Sequence, residues 1–206
     1  MGMKVIGITG GVGAGKSTVV GILRKHFQTE YLHCDVIAHE VMEPGGSAYT
    51  ELVSLFGNAV VNDDGTINRN KLYEAAFLGG RVEELNACVH PKVRLAVEER
   101  IEKLRADKFE GMVLIEAALL IEAGYKNICD ELWYVYAPIE MRRERLKANR
   151  GYTDERVDAI MERQASEEYF FSQSDFVVYN DSSEELCEEH ILAQVEKHRN
   201  GEVAHE

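Results

Sequence analysis

Short apolar runs alternate along this chain with longer stretches in which apolar residues return every three or four positions. Val5-Ile6-Gly7-Ile8 is a run of the first kind, followed at once by glycines. Val19, Val20, Ile22, Leu23 and Phe27 then recur on a period near 3.6, which predicts a helix. Glu30-Tyr31-Leu32-His33-Cys34, Met112-Val113-Leu114-Ile115, Leu132-Trp133-Tyr134-Val135-Tyr136 and Phe176-Val177-Val178-Tyr179 are further short runs bounded by polar or turn residues. Strands buried on both faces of a parallel sheet read this way. From Ser183 on, Leu186, Ile191, Leu192 and Val195 predict the apolar face of a closing helix. The alternation predicts an α/β domain of three layers built on a five-stranded parallel sheet.

The runs are unevenly spaced. Between the second and third, roughly 40–110, the pattern is helical throughout, whereas a parallel crossover needs only about a dozen residues. The surplus predicts a helical insertion, and a second helical excursion, rich in Arg and Glu, lies between the fourth and fifth runs. One domain over 1–206 is expected: a core of about 1–60, 108–140 and 174–206, an insertion of about 61–107 and a lid of about 141–173.

Composition narrows the function classes. Of 206 residues 45% are hydrophobic and 29% charged, an ordinary globular balance. The net charge of −13 provides no general field for nucleic acid or an anionic membrane, so a site for phosphates must build its own positive potential. No run of roughly 18 apolar residues exists to span a bilayer. Cys34, Cys88, Cys129 and Cys187 are scattered without a C-x-x-C pair, which fits reduced thiols and a cytoplasmic location. Met1-Gly2 reads as an added pair ahead of a native Met3, and Ile6 stands where a myristoylation signal needs Ser or Thr.

Gly10-Gly11-Val12-Gly13-Ala14-Gly15-Lys16-Ser17 satisfies the phosphate-loop pattern in full, between a strand and a helix. Glycines let successive backbone N–H groups converge on one anion, and the helix adds its positive end. Lys16 is expected to reach the β- and γ-phosphates, and Ser17 to ligate Mg2+. Gly11, Val12, Gly13, Ala14, Gly15 and Thr18 complete the expected ATP contacts. A guanine-reading N-K-x-D is absent, since Asn70-Lys71-Leu72-Tyr73 has Tyr where the Asp belongs; an L-S-G-G-Q signature is absent too. A kinase with a small acceptor remains, needing an acceptor pocket and a basic lid that excludes water.

Several strings in fixed order make the chain resemble the dephospho-CoA kinase family, which completes coenzyme A biosynthesis. They are Gly7-Ile8-Thr9 running into the loop, Asp35-Val36-Ile37-Ala38-His39-Glu40-Val41 with Glu43-Pro44-Gly45, and Phe56-Gly57. Asp64-Gly65-Thr66-Ile67-Asn68-Arg69-Asn70-Lys71-Leu72, Leu85-Asn86, His90-Pro91, Leu119-Leu120-Ile121-Glu122 and Asn180 follow. The chain departs from the family at His33, usually Asp, at Glu116, often Asp, at Ala118, commonly Pro, and at Asn149, usually Arg.

The resemblance implies ATP-dependent phosphorylation of the ribose 3′-hydroxyl of dephospho-CoA, giving coenzyme A and ADP. It makes the insertion the CoA-binding part, Asp35 the base, and Asp35, Arg69, His90, Pro91, Leu119, Leu120 and Glu122 the acceptor side. Asp35 could also be only a helix cap, His90-Pro91 only a helix start, and Leu119-Leu120 only core. Arg145, with Arg150 more loosely, is implied as the lid's phosphate clamp, and Lys16, Asp35 and Arg145 as catalytic. Arg142 and Arg143 stay open between lid contacts and a solvated face paired with Glu140 and Glu144. A kinase for another small hydroxyl compound, or a nucleotide-binding protein without transfer activity, also remains open. Neither nucleic acid nor membrane is expected as a partner, and the chain is expected to be a monomer or weak homo-oligomer.

Overall fold

The computed structural model describes residues 2–117 and 120–199. The chain divides into two compact units, one of Met1–Tyr31 with Lys108–Glu206 and one of Leu32–Asp107.

The first unit is built on strands β1 (Lys4–Thr9), β2 (Thr29–His33), β3 (Met112–Glu116), β4 (Glu131–Tyr136) and β5 (Phe176–Tyr179). Their order is β2-β3-β1-β4-β5, which puts β1 in the middle. Lys4 to Ile8 lie parallel to Met112 to Glu116, Ile6 to Thr9 to Glu131 to Tyr134, and Trp133 to Tyr136 to Phe176 to Tyr179. Two aspartates fix the register where the ladders begin. Asp130 Oδ2 accepts from Val5 N at 2.7 Å and Asp175 Oδ2 from Leu132 N at 2.8 Å. The chain leaves β1 for the β2 edge and later returns to its other side, so the C-terminal end of β1 is the switch point where such sheets hold ligands.

Alternate residues of each strand serve opposite faces. Ile6, Ile8, Met112, Leu114, Trp133, Val135 and Val178 pack with α1 (Lys16–His26) and α9 (Glu184–Arg199). On the other face Tyr134 stacks on Phe170 of α8 (Glu167–Gln173), with centroids 5.0 Å apart. Helices on both faces of the sheet make the expected three layers. One detail of the closing helix differs. Cys187, Ile191 and Val195 bury at four-residue spacing, whereas Leu186, expected on the apolar face, is 55% exposed.

The second unit holds α2 (Cys34–Met42), α3 (Tyr49–Phe56), α4 (Arg69–Tyr73) running into a π-helical turn (Glu74–Leu78), and α5 (Val82–Ala106). Val89, Val93, Val97 and Ile101 recur every fourth residue along α5 and are buried. The Glu40–Arg100 ion pair ties α2 to α5, and so this unit takes in α2 and α3 as well as the stretch 61–107. Within that helical stretch lies one short β-bridge, Val61 to Ile67, closed by Asn62 N bonding Thr66 O at 2.8 Å.

Leu114 is fully buried at the centre of the sheet. Leu114→Ala should cost about 2–5 kcal/mol. A urea midpoint lowered at unchanged slope checks this.

Candidate active site

The loop after β1 departs from ordinary backbone at three glycines: φ is 144° at Gly10, 83° at Gly13 and 96° at Gly15. Gly15 is the left-handed N-cap of α1, and its carbonyl accepts from Thr18 N at 3.0 Å and Val19 N at 3.2 Å. The first turn of α1 carries no acidic residue, so its positive end is uncompensated from within. Lys16 Nζ donates to Gly10 O at 2.8 Å and to Gly11 O at 3.4 Å, which bends the ammonium back over the loop. Ser17 is exposed in the same turn.

Two further elements brace this loop. Asn180, 5% exposed just after β5, donates through Nδ2 to Ala14 O at 2.8 Å. From α6 (Ile139–Arg150), Arg145 donates to Ala14 O at 3.3 Å and to Asn180 O at 3.1 Å. Arg145 therefore stands beside the loop, where a phosphate clamp is expected. Arg142, one turn earlier, is only 6% exposed; its Nε donates to Val12 O at 3.1 Å. A solvated face is thus wrong for Arg142. Arg143 does face solvent, but its partners are Asp154 and Asp158 of α7 (Asp154–Met161) rather than Glu140 and Glu144. Arg150 is exposed at the last residue of α6.

The glycines are needed for these approaches. A Cβ at Gly11 would overlap the Arg142 guanidinium, and one at Gly15 would overlap Asn180 Nδ2. At Gly13 it would lie 2.8 Å from Arg142 O. Glu116, buried at the end of β3, accepts from Tyr31 Oη at 2.6 Å. Leu120 is fully buried, with its Cδ2 3.1 Å from where a Gly7 Cβ would stand. Glu122 is exposed. Leu119 and Ala118 lie outside the described residues.

In the second unit Asp35 is exposed in the first turn of α2, just after β2. It is not the N-cap: His33 holds that position, so capping does not explain Asp35. Asn68 caps α4 by accepting from Lys71 N at 3.0 Å, which leaves Arg69 exposed at the first helical position. His39 links the two. Burial first, then the Arg69 and His33 charges, lower its pKa, against the opposing pull of Asp35 and Glu43. Asp35, His39 and Arg69 therefore share one electrostatic neighbourhood. His90 and Pro91 are exposed within α5, not at its start. Pro91 has no N–H to give the Ala87 carbonyl, so the ladder is interrupted there.

Residues 4–185 match the family model described as dephospho-CoA kinase. That match takes in the phosphate loop, the whole second unit, α6 to α8 and Asn180. The chain belongs to the dephospho-CoA kinase family. The dephospho-CoA kinase of Moorella thermoacetica is 44% identical over 147 residues, 71% of this chain and 69% of that one. The dephospho-CoA kinase of Dehalococcoides mccartyi is 37% identical over 179 residues, 86% and 89% of the two chains. Among solved structures, TT1252 from Thermus thermophilus is similar with a TM-score of 0.77 at 33% identity, covering 96% of this chain and 98% of that one.

Within this family member the Asn180 side chain and the His39 neighbourhood are features that residue-by-residue reading missed, and the Arg142 contact decides a choice which that reading left open. For Arg142 a signal existed, since it shares a helical face with Arg145. Gly15→Ala should both destabilise the fold and weaken ATP binding. The left-handed backbone alone costs a non-glycine residue about 1–2 kcal/mol, and Asn180 must also give way. Melting temperature with and without ATP checks it; an unchanged ATP-dependent rise would contradict it.

Proposed function

We propose that this chain transfers the γ-phosphoryl group of ATP to the ribose 3′-hydroxyl of dephospho-CoA, giving ADP and coenzyme A. The observation that carries the reading is the phosphate loop with Lys16 and Arg145 converging on it, in a chain of the dephospho-CoA kinase family. The loop amides, Lys16 and the positive end of α1 bind the phosphates, with Gly11, Val12, Gly13, Ala14, Gly15, Ser17 and Thr18 contributing contacts. The acceptor oxygen forms its bond to the γ-phosphorus as the bond to the β–γ bridging oxygen breaks, and ADP leaves with those electrons. Asp35 takes the hydroxyl proton; its exposure and lack of a capping role support this. Lys16 and Arg145 stabilise the charge that develops on the transferring group.

Arg69 is proposed to bind a phosphate of dephospho-CoA, and His90 and Pro91 to line the acceptor side. Glu122 and the exposed Arg150 are looser members of the acceptor and ATP sets. Burial and the Arg69 charge lower the His39 pKa, which favours a neutral imidazole one turn along α2 from Asp35. Stretch 141–173 is proposed as the lid and Leu32–Asp107 as the acceptor-binding part.

Mg2+ fits this site as an ion that comes with the nucleotide. Among the described residues no cluster of three or more His, Cys, Asp or Glu is arranged to hold a metal, while the Ser17 hydroxyl is exposed beside Lys16. A hard ion that keeps waters and phosphate oxygens needs few protein ligands. When bound, it neutralises charge on the β- and γ-phosphates. Four scattered cysteines with no C-x-x-C pair support a cytoplasmic location, and no described helix is long and apolar enough to cross a membrane.

A coupled ADP-release assay with and without dephospho-CoA tests the reaction: release should depend on dephospho-CoA, and acceptor-independent release at the same rate would refute it. Lys16→Ala should lower turnover on the order of 10²-fold or more while the melting temperature holds; full activity in the folded variant would sink the phosphate-loop reading. Asp35→Asn should lower turnover by about 10²-fold or more with little change in ATP affinity. Loss of stability at unchanged turnover would mean that the aspartate serves the helix and not the reaction.

A further inference from the structure

Arg142 is the buried charge that the reaction above leaves unused. It is 6% exposed, yet among the described residues it forms no ion pair. Its hydrogen bonds all go to uncharged acceptors. Nε donates to Val12 O in the phosphate loop at 3.1 Å, and one terminal nitrogen donates to Met161 Sδ at 3.1 Å and to Gln164 Oε1. These partners come from two places, the loop on one side and the end of α7 with the turn after it on the other. Gly11 lies against the same guanidinium so closely that no Cβ could be added.

The local electrostatics make this arrangement costly. Burial lowers the Arg142 pKa, and only Tyr134 and Glu167 oppose that through space. Tyr134 has its own pKa pushed up to about 12, chiefly by burial, so at neutral pH it is an uncharged phenol. Guanidinium nevertheless stays charged at any physiological pH. A buried cation whose hydrogen bonds all end on neutral acceptors is expensive, and proteins place such groups where something anionic is to be met. Here that place is the phosphate loop, whose backbone Arg142 already holds at Val12.

We propose that Arg142 is a positioning residue for ATP: it clamps the Val12 carbonyl of the phosphate loop to Gln164 and Met161, and adds a third fixed positive charge, after Lys16 and Arg145, beside the loop. The inference rests on the reading of loop 10–17 as the ATP site. Arg142 acts through the loop backbone, whereas Lys16 and Arg145 are assigned to the phosphates directly. The clamp also gives the lid a defined link to the nucleotide. Ordering of the loop by bound phosphates is passed to 161–164 through one side chain, because a guanidinium can donate to both sides at once.

Three substitutions separate charge from tether. Arg142→Gln removes the charge, Arg142→Lys keeps it but loses the planar fork, and Gln164→Ala removes the lid-side acceptor and leaves the charge in place. Arg142→Gln should raise the ATP KM about tenfold or more, with kcat changing less; a charge-assisted bond is worth at least that factor. Arg142→Lys should recover much of the ATP affinity. Hydrogen exchange at 161–164 should slow on adding a non-hydrolysable ATP analogue to wild type, and this response should be lost in Arg142→Lys and Gln164→Ala. A wild-type ATP KM in folded Arg142→Gln overturns the charge role, and a wild-type exchange response in Gln164→Ala overturns the tether. If Arg142→Gln does not fold, Arg142→Lys and Gln164→Ala decide. Lys16→Ala runs alongside: full activity there refutes the ATP site itself, whereas its collapse together with wild-type values in the Arg142 and Gln164 variants refutes the clamp alone.

Discussion

Everything around the phosphate loop depends on how closely other groups approach its backbone. Arg142, Asn180 and the Val135 carbonyl occupy the space that side chains at Gly11, Gly15 and Gly10 would need. Glycine is required here twice over, for the left-handed dihedrals at 13 and 15 and for the missing Cβ. The loop is held from outside through its Val12 and Ala14 carbonyls. The same approach lets α6 and the turn after β5 meet at Ala14 O, where Arg145 and Asn180 both donate. A shift in the loop is therefore a shift in the contacts of α6.

The second theme is local charge in an acidic chain. A net charge of −13 opposes phosphate binding at long range, but Debye screening limits that field to about 8–10 Å in physiological salt. Within that range the loop has Lys16, Arg145, Arg142 and a helix N-terminus free of acidic residues. Arg143 and Lys147 are instead neutralised at the outer surface of α6 by Asp154 and Asp158. Pairing on the outside and cations held against the loop direct the positive potential to one place.

The second unit shows the same economy on a smaller scale. The 62–68 hairpin is held by Asn62, Asp64, Thr66 and Asn68, and its end caps α4 so that Arg69 projects at a fixed position. Asp35 stands at the start of α2 and His39 one turn on, where Arg69 helps keep the imidazole neutral.

Sequence by itself determined the features whose physics is local. The phosphate loop was legible because a converging backbone demands glycines at fixed spacing, and the sheet because buried parallel strands are short apolar runs. Asp35 stood out from its place after a strand. Tertiary structure decided what local pattern leaves degenerate. Arg142 and Arg143 are neighbours of one residue type, and only the packing of α6 on the loop buries one and leaves the other in water. Leu186 turns outward and Cys187 inward for the same reason, since periodicity alone leaves the edge of a helix face open. Pro91 falls inside α5 because apolar burial along 25 residues outweighs one lost hydrogen bond. Such choices depend on which surfaces meet across long sequence separations, and no short window of sequence contains both surfaces.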